Sequence, residues 1–403
     1  MLAAGCTSLG PPLLRPDRLQ YNEAVKASAE EQLLLNIVRL RYTDTPSSLA
    51  ISAIASQFER SRSAGLLPFF AASGADVNRS FTAVLPQFQI SSADRPTFSL
   101  TPQDDQEFTR KLFTPMPLDG IVYLAKTTWP ISTVFRLYLE NLNWVPNAQL
   151  ASGPTPREAP PYADFQRGMA ALQTLQRRGQ IVFGTEARDE KLGSSLPAAR
   201  VGAADLIEAA KNGYEYRLDE GGATWSLYRK AQQPVLRVDP AAVDSAEMAL
   251  LARIFRLRPG LRQYDITSEV LAPFPATFPP EGVATIDLET RSLLQALYYV
   301  SHGIEVPREH AARGLAAATR DQAGGEFDWH QITRELFHVR SIQAPERPAH
   351  ALVAVPYRGY WFYIDDTDHD TKSTFSLLLE LSRLELAGKT GVGPVLTLPV
   401  TGR

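Results

Sequence analysis

Thirty prolines are spread along this chain of 403 residues, and they limit the length of its helices and strands. Proline fixes one backbone angle and removes a hydrogen-bond donor, so it usually stands at the ends of regular elements. Apolar residues make up 44% of the chain and charged residues 21%, as in folded proteins. A chain of this length exceeds one ordinary core. We therefore predict a multi-domain α+β protein in which short helices pack on small, mainly antiparallel sheets.

Changes in composition divide the chain into five segments. The proline-rich stretch 149–161 is expected to form an interdomain linker. The complete division is a lipid-attachment site and tether at 1–20, an N-terminal α+β domain at 21–148, the linker at 149–161, a small α/β module at 162–231 and a C-terminal α+β domain at 232–403.

Residue propensities and apolar periodicity predict the individual elements. Helices are expected over 22–43 (its second half buried), 107–113, 118–126, 131–141, 162–178, 203–211, 244–257, 288–302 and 372–386. Strands are expected over 81–90, 96–100, 180–185, 214–218, 224–228, 235–238, 336–342, 349–355, 360–364 and 395–398. Residues 61–78 are expected to form a loop or an irregular hairpin, and the polar stretch after residue 185 a loop. Residues 91–94 are expected to form a turn, and the prolines of the tether an extended segment.

The only cysteine ends the run Ala3-Ala4-Gly5-Cys6. This run resembles the lipobox of bacterial lipoproteins, a family in which the cysteine receives a diacylglyceryl group and becomes the acylated N-terminus. The resemblance implies lipid attachment at Cys6. Since Thr7–Ser8 lacks the aspartate common in inner-membrane lipoproteins, it also implies the periplasmic face of the outer membrane. The stretches Asn36–Tyr42 and Tyr357–Ile364 resemble parts of uncharacterised Gram-negative lipoproteins.

The position of Cys6 places a condition on this interpretation. Five residues precede it, whereas a secretory signal needs an apolar run of roughly 7–15 residues before the cleavage site. The anchor therefore requires that the true start codon lies upstream of Met1. The alternative is a cytosolic protein, truncated here, whose disordered N-terminus carries a chance cysteine.

The charge and apolar patterns exclude several classes of partner. The net charge is −3 without a basic block, which argues against a nucleic-acid partner. The longest apolar run, at Leu33–Leu35, is much shorter than a membrane-spanning helix. One cysteine excludes internal disulfides and cysteine-rich zinc sites. We expect no cofactor, and contact with the membrane only through the N-terminal lipid.

The acidic run near the C-terminus carries a weak metal-binding pattern. Asp366, Asp368 and Asp370 alternate as the first ligands of a calcium loop do. The loop's glycine is replaced by Thr371, however, and its final glutamate is missing. The simpler interpretation is an acidic turn that caps the following helix, with Ser373 or Asp370 as the N-cap residue.

Two aromatic pairs are candidate interaction surfaces. Trp361 and Tyr363 share one face of a predicted strand, which is either a core strand or a platform for a partner chain or a glycan. Phe69 and Phe70 lie in a predicted loop and form either a buried plug or an exposed docking tip.

No catalytic signature stands out in the chain. The six histidines lack the spacing of a zinc protease motif, and no serine-hydrolase elbow is present. We therefore predict a non-catalytic envelope lipoprotein that binds or assembles with a protein partner. The alternative is an envelope hydrolase, which a cleft gathering His302, His310 or His330 with carboxylates would favour.

Overall fold

The computed structural model of this chain confirms the α+β class, with mostly short helices and small, mainly antiparallel sheets. None of the helices in the described part of the chain is long and apolar enough to span a bilayer. The described residues are 11–47, 49–71, 81–102, 106–268 and 279–386. The described residues fall into two compact units, a larger one with residues 11–46, 106–268 and 279–386 and a smaller one with residues 47, 49–71 and 81–102.

In the smaller unit the described residues form one antiparallel hairpin. Its strands are β1 (Leu49–Ala71) and β2 (Phe81–Pro102), which pair along their whole length with one irregularity after Ile51. Of the two alternatives for residues 61–78, the described residues 61–71 agree with the hairpin and not with the loop, and the turn expected at 91–94 was wrong because these residues lie within β2. Continuous cross-strand pairing keeps both strands extended through the polar stretch around residues 59–63 and residues 91–94.

The larger unit contains the remaining elements. Its helices are α1 (Pro11–Arg41), α2 (Gln106–Phe113), α3 (Leu118–Lys126), α4 (Ile131–Tyr138), α5 (Ala163–Arg177), α6 (Ala203–Lys211), α7 (Ala246–Phe255), α8 (Leu293–Ser301), α9 (Arg308–Ala312), α10 (His330–Thr333) and α11 (His369–Leu386). Short 3-10 helices cover Gln149–Ser152 and Ala198–Arg200. Its strands are β3 (Leu139–Leu142), β4 (Val145–Pro146), β5 (Ile181–Pro197), β6 (Tyr214–Leu218), β7 (Thr224–Val238), β8 (Gln263–Thr267), β9 (Thr285–Thr290), β10 (Arg340–Ile342), β11 (Ala351–Tyr357) and β12 (Tyr360–Asp365).

Two sheets organise this unit. The larger has the order β4-β3-β9-β8-β7-β5, with β6 also paired to β7, and every pair is antiparallel except β8 with β9. The smaller has the order β10-β12-β11 and is antiparallel throughout. The second half of α1 is buried as expected, with Leu34, Ile37 and Val38 fully inaccessible to solvent.

The compact units divide the chain differently from the predicted domains. Strands β3, β5 and β9, expected in three separate domains, belong to one sheet. The predicted linker 149–161 is packed against the body, since Ala151 and Ser152 are buried. The backbone N–H of Ala159 also donates to the carbonyl of Arg320, and the backbone N–H of Arg320 donates to the carbonyl of Arg157. Because strand pairing acts over long sequence distances, local composition carries no signal of it.

Two further segments differ from the sequence expectations. Helix α1 begins at Pro11, so the part of the tether from residue 11 to residue 20 is helical rather than extended. Pro11 and Pro12 are tolerated at the helix start because the first N–H groups have no helical acceptor. The polar loop expected after Thr185 is a continuation of β5, whose charged side chains form cross-strand ion pairs such as Asp189 with Arg217 and Glu190 with Arg229.

One buried arginine fixes the junction between α4, β4 and α8. Arg291 is fully buried, and its guanidinium donates to the backbone carbonyls of Arg136 at 2.9 Å, Leu137 at 3.2 Å and Asn147 at 2.6 Å. Its Nε donates to the hydroxyl of Ser152 at 2.8 Å. Burial lowers the pKa of Arg291 to about 10. These bonds fix the backbone that directly follows β4.

Helices α5 and α7 approach each other closely at Gly168. A Cβ atom at this position would lie 2.3 Å from the ring of Phe255, which is buried and also contacts Phe165 edge to face. Only glycine permits this approach. The contact brings the end of α7 beside α5.

Candidate functional site

The structure does not describe the predicted lipid site, and it describes only the backbone of the aromatic pair Phe69 and Phe70. Cys6 lies outside the described residues. The backbone of Phe69 and Phe70 belongs to β1, where they pair with Ala83 and Thr82, but their side chains lie outside what the structure describes. Lipid attachment at Cys6 and the interaction role of Phe69 and Phe70 stay predictions.

The other aromatic pair lies on the outer face of the three-stranded sheet. As the alternation predicts, Phe362 and Ile364 are buried, whereas Trp361 and Tyr363 are half-buried. The central position of β12 puts Trp361 opposite Ile342 on one side and Pro356 on the other. Tyr363 pairs with Arg340 and Ala354 in the same way.

Opposite residues of antiparallel strands share a face, so these six residues form one surface. Ile342 remains 42% exposed. The surface is therefore apolar at its centre and open to solvent at its edge. We call it the outer face; it consists of Arg340, Ile342, Ala354, Pro356, Trp361 and Tyr363.

The acidic run forms a helix cap. Asp368 is the capping residue of α11, because its carboxylate accepts from the backbone N–H of Thr371 at 3.0 Å and from the Thr371 hydroxyl at 2.7 Å. The expected N-cap residues, Ser373 and Asp370, were wrong because the helix begins at His369, ahead of the predicted start at residue 372.

The other two acidic candidates, Asp366 and Asp370, lie in different surroundings. Asp366 accepts from Lys372 Nζ at 2.6 Å. Asp370 lines a cavity of about 270 Å³ with Trp129 and Thr133. Among the described residues, no group of three or more histidine, cysteine, aspartate or glutamate side chains is arranged to hold a metal ion.

The histidines singled out for a hydrolase make structural contacts. His310 is buried, and its Nε2 donates to the carbonyl of Arg358 at 3.1 Å, so its Nδ1 accepts from the Tyr42 hydroxyl at 2.7 Å. His302 donates from Nδ1 to the carbonyl of Tyr298 at 2.8 Å and packs on Trp329. Burial lowers the pKa of His302 to about 3, so it is neutral at pH 7.

The third of these histidines is on the surface. His330 is exposed, and its ring lies 5.4 Å from that of His338. Burial and the neighbouring His330 lower the pKa of His338. In the described part of the chain, no hydrogen bond joins the ring of His302, His310 or His330 to a carboxylate.

A groove of about 670 Å³ lies between the β3–β4 turn, the start of α5 and the end of α7. Sequence reasoning identified none of its residues, because they come from three separate parts of the chain. We call it the arginine groove. It is lined by Trp144, Val145, Pro146, Pro160, Pro161, Tyr162, Ala163, Asp164, Arg167, Arg253, Ile254 and Arg256.

Buried hydrogen bonds hold two walls of this groove in register. Asn143 is fully buried, and its amide donates to the carbonyl of Phe255 at 2.8 Å and accepts from the backbone N–H of Asp287 at 2.7 Å. This residue directly precedes Trp144, and Phe255 directly precedes Arg256. The backbone N–H of Ala148 also donates to the carbonyl of Pro161 at 3.0 Å.

Two groove residues occupy unfavourable backbone conformations. Trp144 has φ +64° in the turn between β3 and β4, and Arg256 has φ +54° at the C-terminal end of α7. Glycine is the usual residue at both kinds of position, because a side chain is disfavoured there. Positive φ values at non-glycine residues are costly and tend to cluster at functional sites.

The polar atoms of the groove are mainly donors. Trp144 Nε1 is buried and has no hydrogen-bond partner among the described residues. Tyr162, the N-cap residue of α5, offers no side-chain acceptor to the first turn of the helix. The exposed Asp164 already pairs with Arg167. Arg253 is exposed and has no hydrogen-bonded or ion-paired partner within the described ranges.

Comparison with known proteins adds no assignment. Neither a protein-family model, nor a curated protein, nor a solved structure matches this chain.

Proposed function

We propose that this chain is a non-catalytic binding or assembly component of the bacterial cell envelope. A lipid on Cys6 would hold it at the periplasmic face of the outer membrane. The run Ala3-Ala4-Gly5-Cys6 supports the location, through its resemblance to a lipobox. The outer face, with Trp361 and Tyr363 at its centre, carries the proposed binding role.

The composition of the outer face suits a protein partner. Tryptophan, tyrosine and arginine dominate the energetics of protein interfaces, and here Trp361, Tyr363 and Arg340 share one surface. Ile342 adds an exposed apolar side chain in direct register with Trp361. A partner that covers this face would remove the remaining apolar area from water.

The contacts of the histidines weaken the hydrolase alternative. A general base needs a hydrogen-bonding nitrogen within reach of a nucleophile or a substrate. Both ring nitrogens of His310 are engaged, with Tyr42 and the Arg358 carbonyl. His302 is buried beneath Trp329 and keeps a depressed pKa. The binding interpretation accounts for these residues as parts of the core.

Photocrosslinking tests the proposed binding role of the outer face. We expect p-benzoylphenylalanine at Trp361 or Tyr363 to give a discrete crosslinked product in outer membranes. The same group at Tyr123, a tyrosine of α3 that is 68% exposed, should give no such product. Introducing Ile342→Asp should abolish the product, because a charge would enter the apolar contact at a solvent-accessible position.

Three results would count against this function. The outer face would not be a binding surface if no product formed at Trp361 or Tyr363, or if Tyr123 gave the same product. Retention of the product in the Ile342→Asp protein would also contradict a role for the apolar row. As a control, the thermal unfolding temperature of each variant should equal that of the wild type, so that loss of the product is not due to unfolding of the larger unit.

A further inference from the structure

We propose that the arginine groove binds an acidic sugar, meaning a sugar that bears a phosphate or a carboxylate. This site shares no residue with the outer face, and the proposal does not rest on the proposed function. The groove volume of about 670 Å³ falls within the range of roughly 300–1,000 Å³ typical of small-molecule sites.

The charge of the groove favours an anion. Three arginines, Arg167, Arg253 and Arg256, line the groove with a single acidic residue, Asp164, which pairs with Arg167. Guanidinium groups bind phosphate and carboxylate through paired, charge-assisted hydrogen bonds. The first turn of α5 lies at the same groove, and the N-terminal end of a helix adds to the positive potential.

The hydrogen-bonding groups that line the groove favour a ligand with many acceptor atoms. The indole N–H of Trp144 and the guanidiniums can donate but cannot accept. The exposed guanidinium of Arg253 has no partner within the described ranges, so an incoming oxygen atom can accept a hydrogen bond from it directly. The hydroxyl and ring oxygens of a sugar, together with its anionic group, supply such acceptors.

The apolar lining favours a ring over an extended peptide. Pro146, Pro160 and Pro161 have no backbone N–H, so this part of the groove cannot pair with an added β-strand. Strand β4 is the edge strand of its sheet, and Pro146 removes its last donor. Trp144 and Tyr162 instead provide flat rings against which the C–H face of a sugar can pack.

The groove is built to keep its shape. Asn143 links the turn that carries Trp144 to the helix end that carries Arg256. The bond from Ala148 to Pro161 fixes the opposite wall. Preorganised groups lose less entropy on binding, so affinity does not require rearrangement of the walls.

Nuclear magnetic resonance of the full chain tests this assignment. The protein has five tryptophans and so five indole N–H signals, of which the one missing in Trp144→Phe belongs to Trp144. We expect glucose 6-phosphate and glucuronate to shift this signal saturably, with Kd below about 1 mM. Glucose, which lacks the anionic group, should bind at least about tenfold more weakly.

Matched arginine variants locate the binding site. Arg253→Gln should weaken glucose 6-phosphate at least about tenfold, because a charge-assisted hydrogen bond is lost. Arg177→Gln provides the control, since Arg177 is also exposed and lies at the other end of α5. It should leave the affinity unchanged, and both variants should keep the indole spectrum of the folded protein.

Three outcomes would overturn the proposal. Absence of any shift with both acidic sugars up to 10 mM, well above the expected Kd of about 1 mM, would exclude the site. Equal affinity for glucose would exclude recognition of the anionic group. Equal affinity for inorganic phosphate and glucose 6-phosphate would leave a simple oxyanion site and exclude recognition of the sugar ring. None of these outcomes bears on the outer face.

Discussion

Replacing Arg291 with methionine is expected to destabilise the larger unit by about 3 kcal/mol or more. Methionine keeps much of the apolar volume but donates no hydrogen bond to the carbonyls of Arg136, Leu137 and Asn147. These carbonyls would remain in a dry interior without this donor, which outweighs the relief from no longer burying a charge. Urea unfolding followed by tryptophan fluorescence measures the change.

A matched substitution controls for the loss of an arginine as such. Arg177→Met removes an exposed guanidinium at the end of α5 and should change the free energy of unfolding by less than about 0.5 kcal/mol. Arg291→Lys should also be strongly destabilising, because an ammonium cannot reach several carbonyls in the fixed fork geometry of a guanidinium. Equal stability of Arg291→Met and the wild type would contradict the structural role of this network.

The second large effect concerns acid stability and His302. Burial, with a smaller effect from the charge of Arg41, lowers the pKa of His302 to about 3 in the folded protein. In the unfolded chain this pKa is about 6.5. Between these values the unfolded chain binds a proton that the folded chain does not. The free energy of unfolding therefore falls as the pH drops below 6.5, by up to about 1.4 kcal/mol per pH unit from this residue.

The variant His302→Asn isolates this contribution. An asparagine amide can still donate to the carbonyl of Tyr298 but does not titrate. The variant should be less stable than the wild type at pH 7.5, because the packing on Trp329 is lost. The difference should shrink between pH 6.5 and pH 4.5 in urea unfolding. Parallel stability curves would show that His302 titrates normally.

Elements with strong local signals were predictable from the sequence. Helices α3 and α6 and strand β6 have the predicted bounds, because their propensities and turn residues agree with the final structure. The buried half of α1 and the alternation in β12 followed from apolar periodicity. In each case the information lies within about ten consecutive residues.

The arrangement of the sheets was not predictable in this way. Leu142 of β3 pairs with Leu288 of β9, and no composition signal connects two residues so far apart. Segments that were assigned to three domains therefore share one sheet. The predicted N-cap residue of α11 was two residues or more from the observed one, Asp368, because several neighbouring residues of the acidic run are suitable caps.

The arginine groove was beyond sequence reasoning for a related reason. No local sequence pattern marks Trp144, Tyr162 or Arg253. They line one groove because the contacts of Asn143 and Gly168 pack the surrounding elements together. Positive φ at Trp144 and Arg256 is a property of the folded backbone that the sequence does not reveal. The aromatic pair of the outer face was predictable because Trp361 and Tyr363 alternate along a single strand, whereas its neighbours on β10 and β11 come from separate parts of the chain.

The most direct test of the proposed envelope location is metabolic labelling with a palmitate analogue. The gene would be expressed with its native upstream region, beside a Cys6→Ser variant. We expect label on the wild-type protein in the outer-membrane fraction and no label on the variant, because Cys6 is the only cysteine. An unlabelled wild-type protein would contradict the lipid anchor and, with it, the proposed place of this protein in the cell envelope.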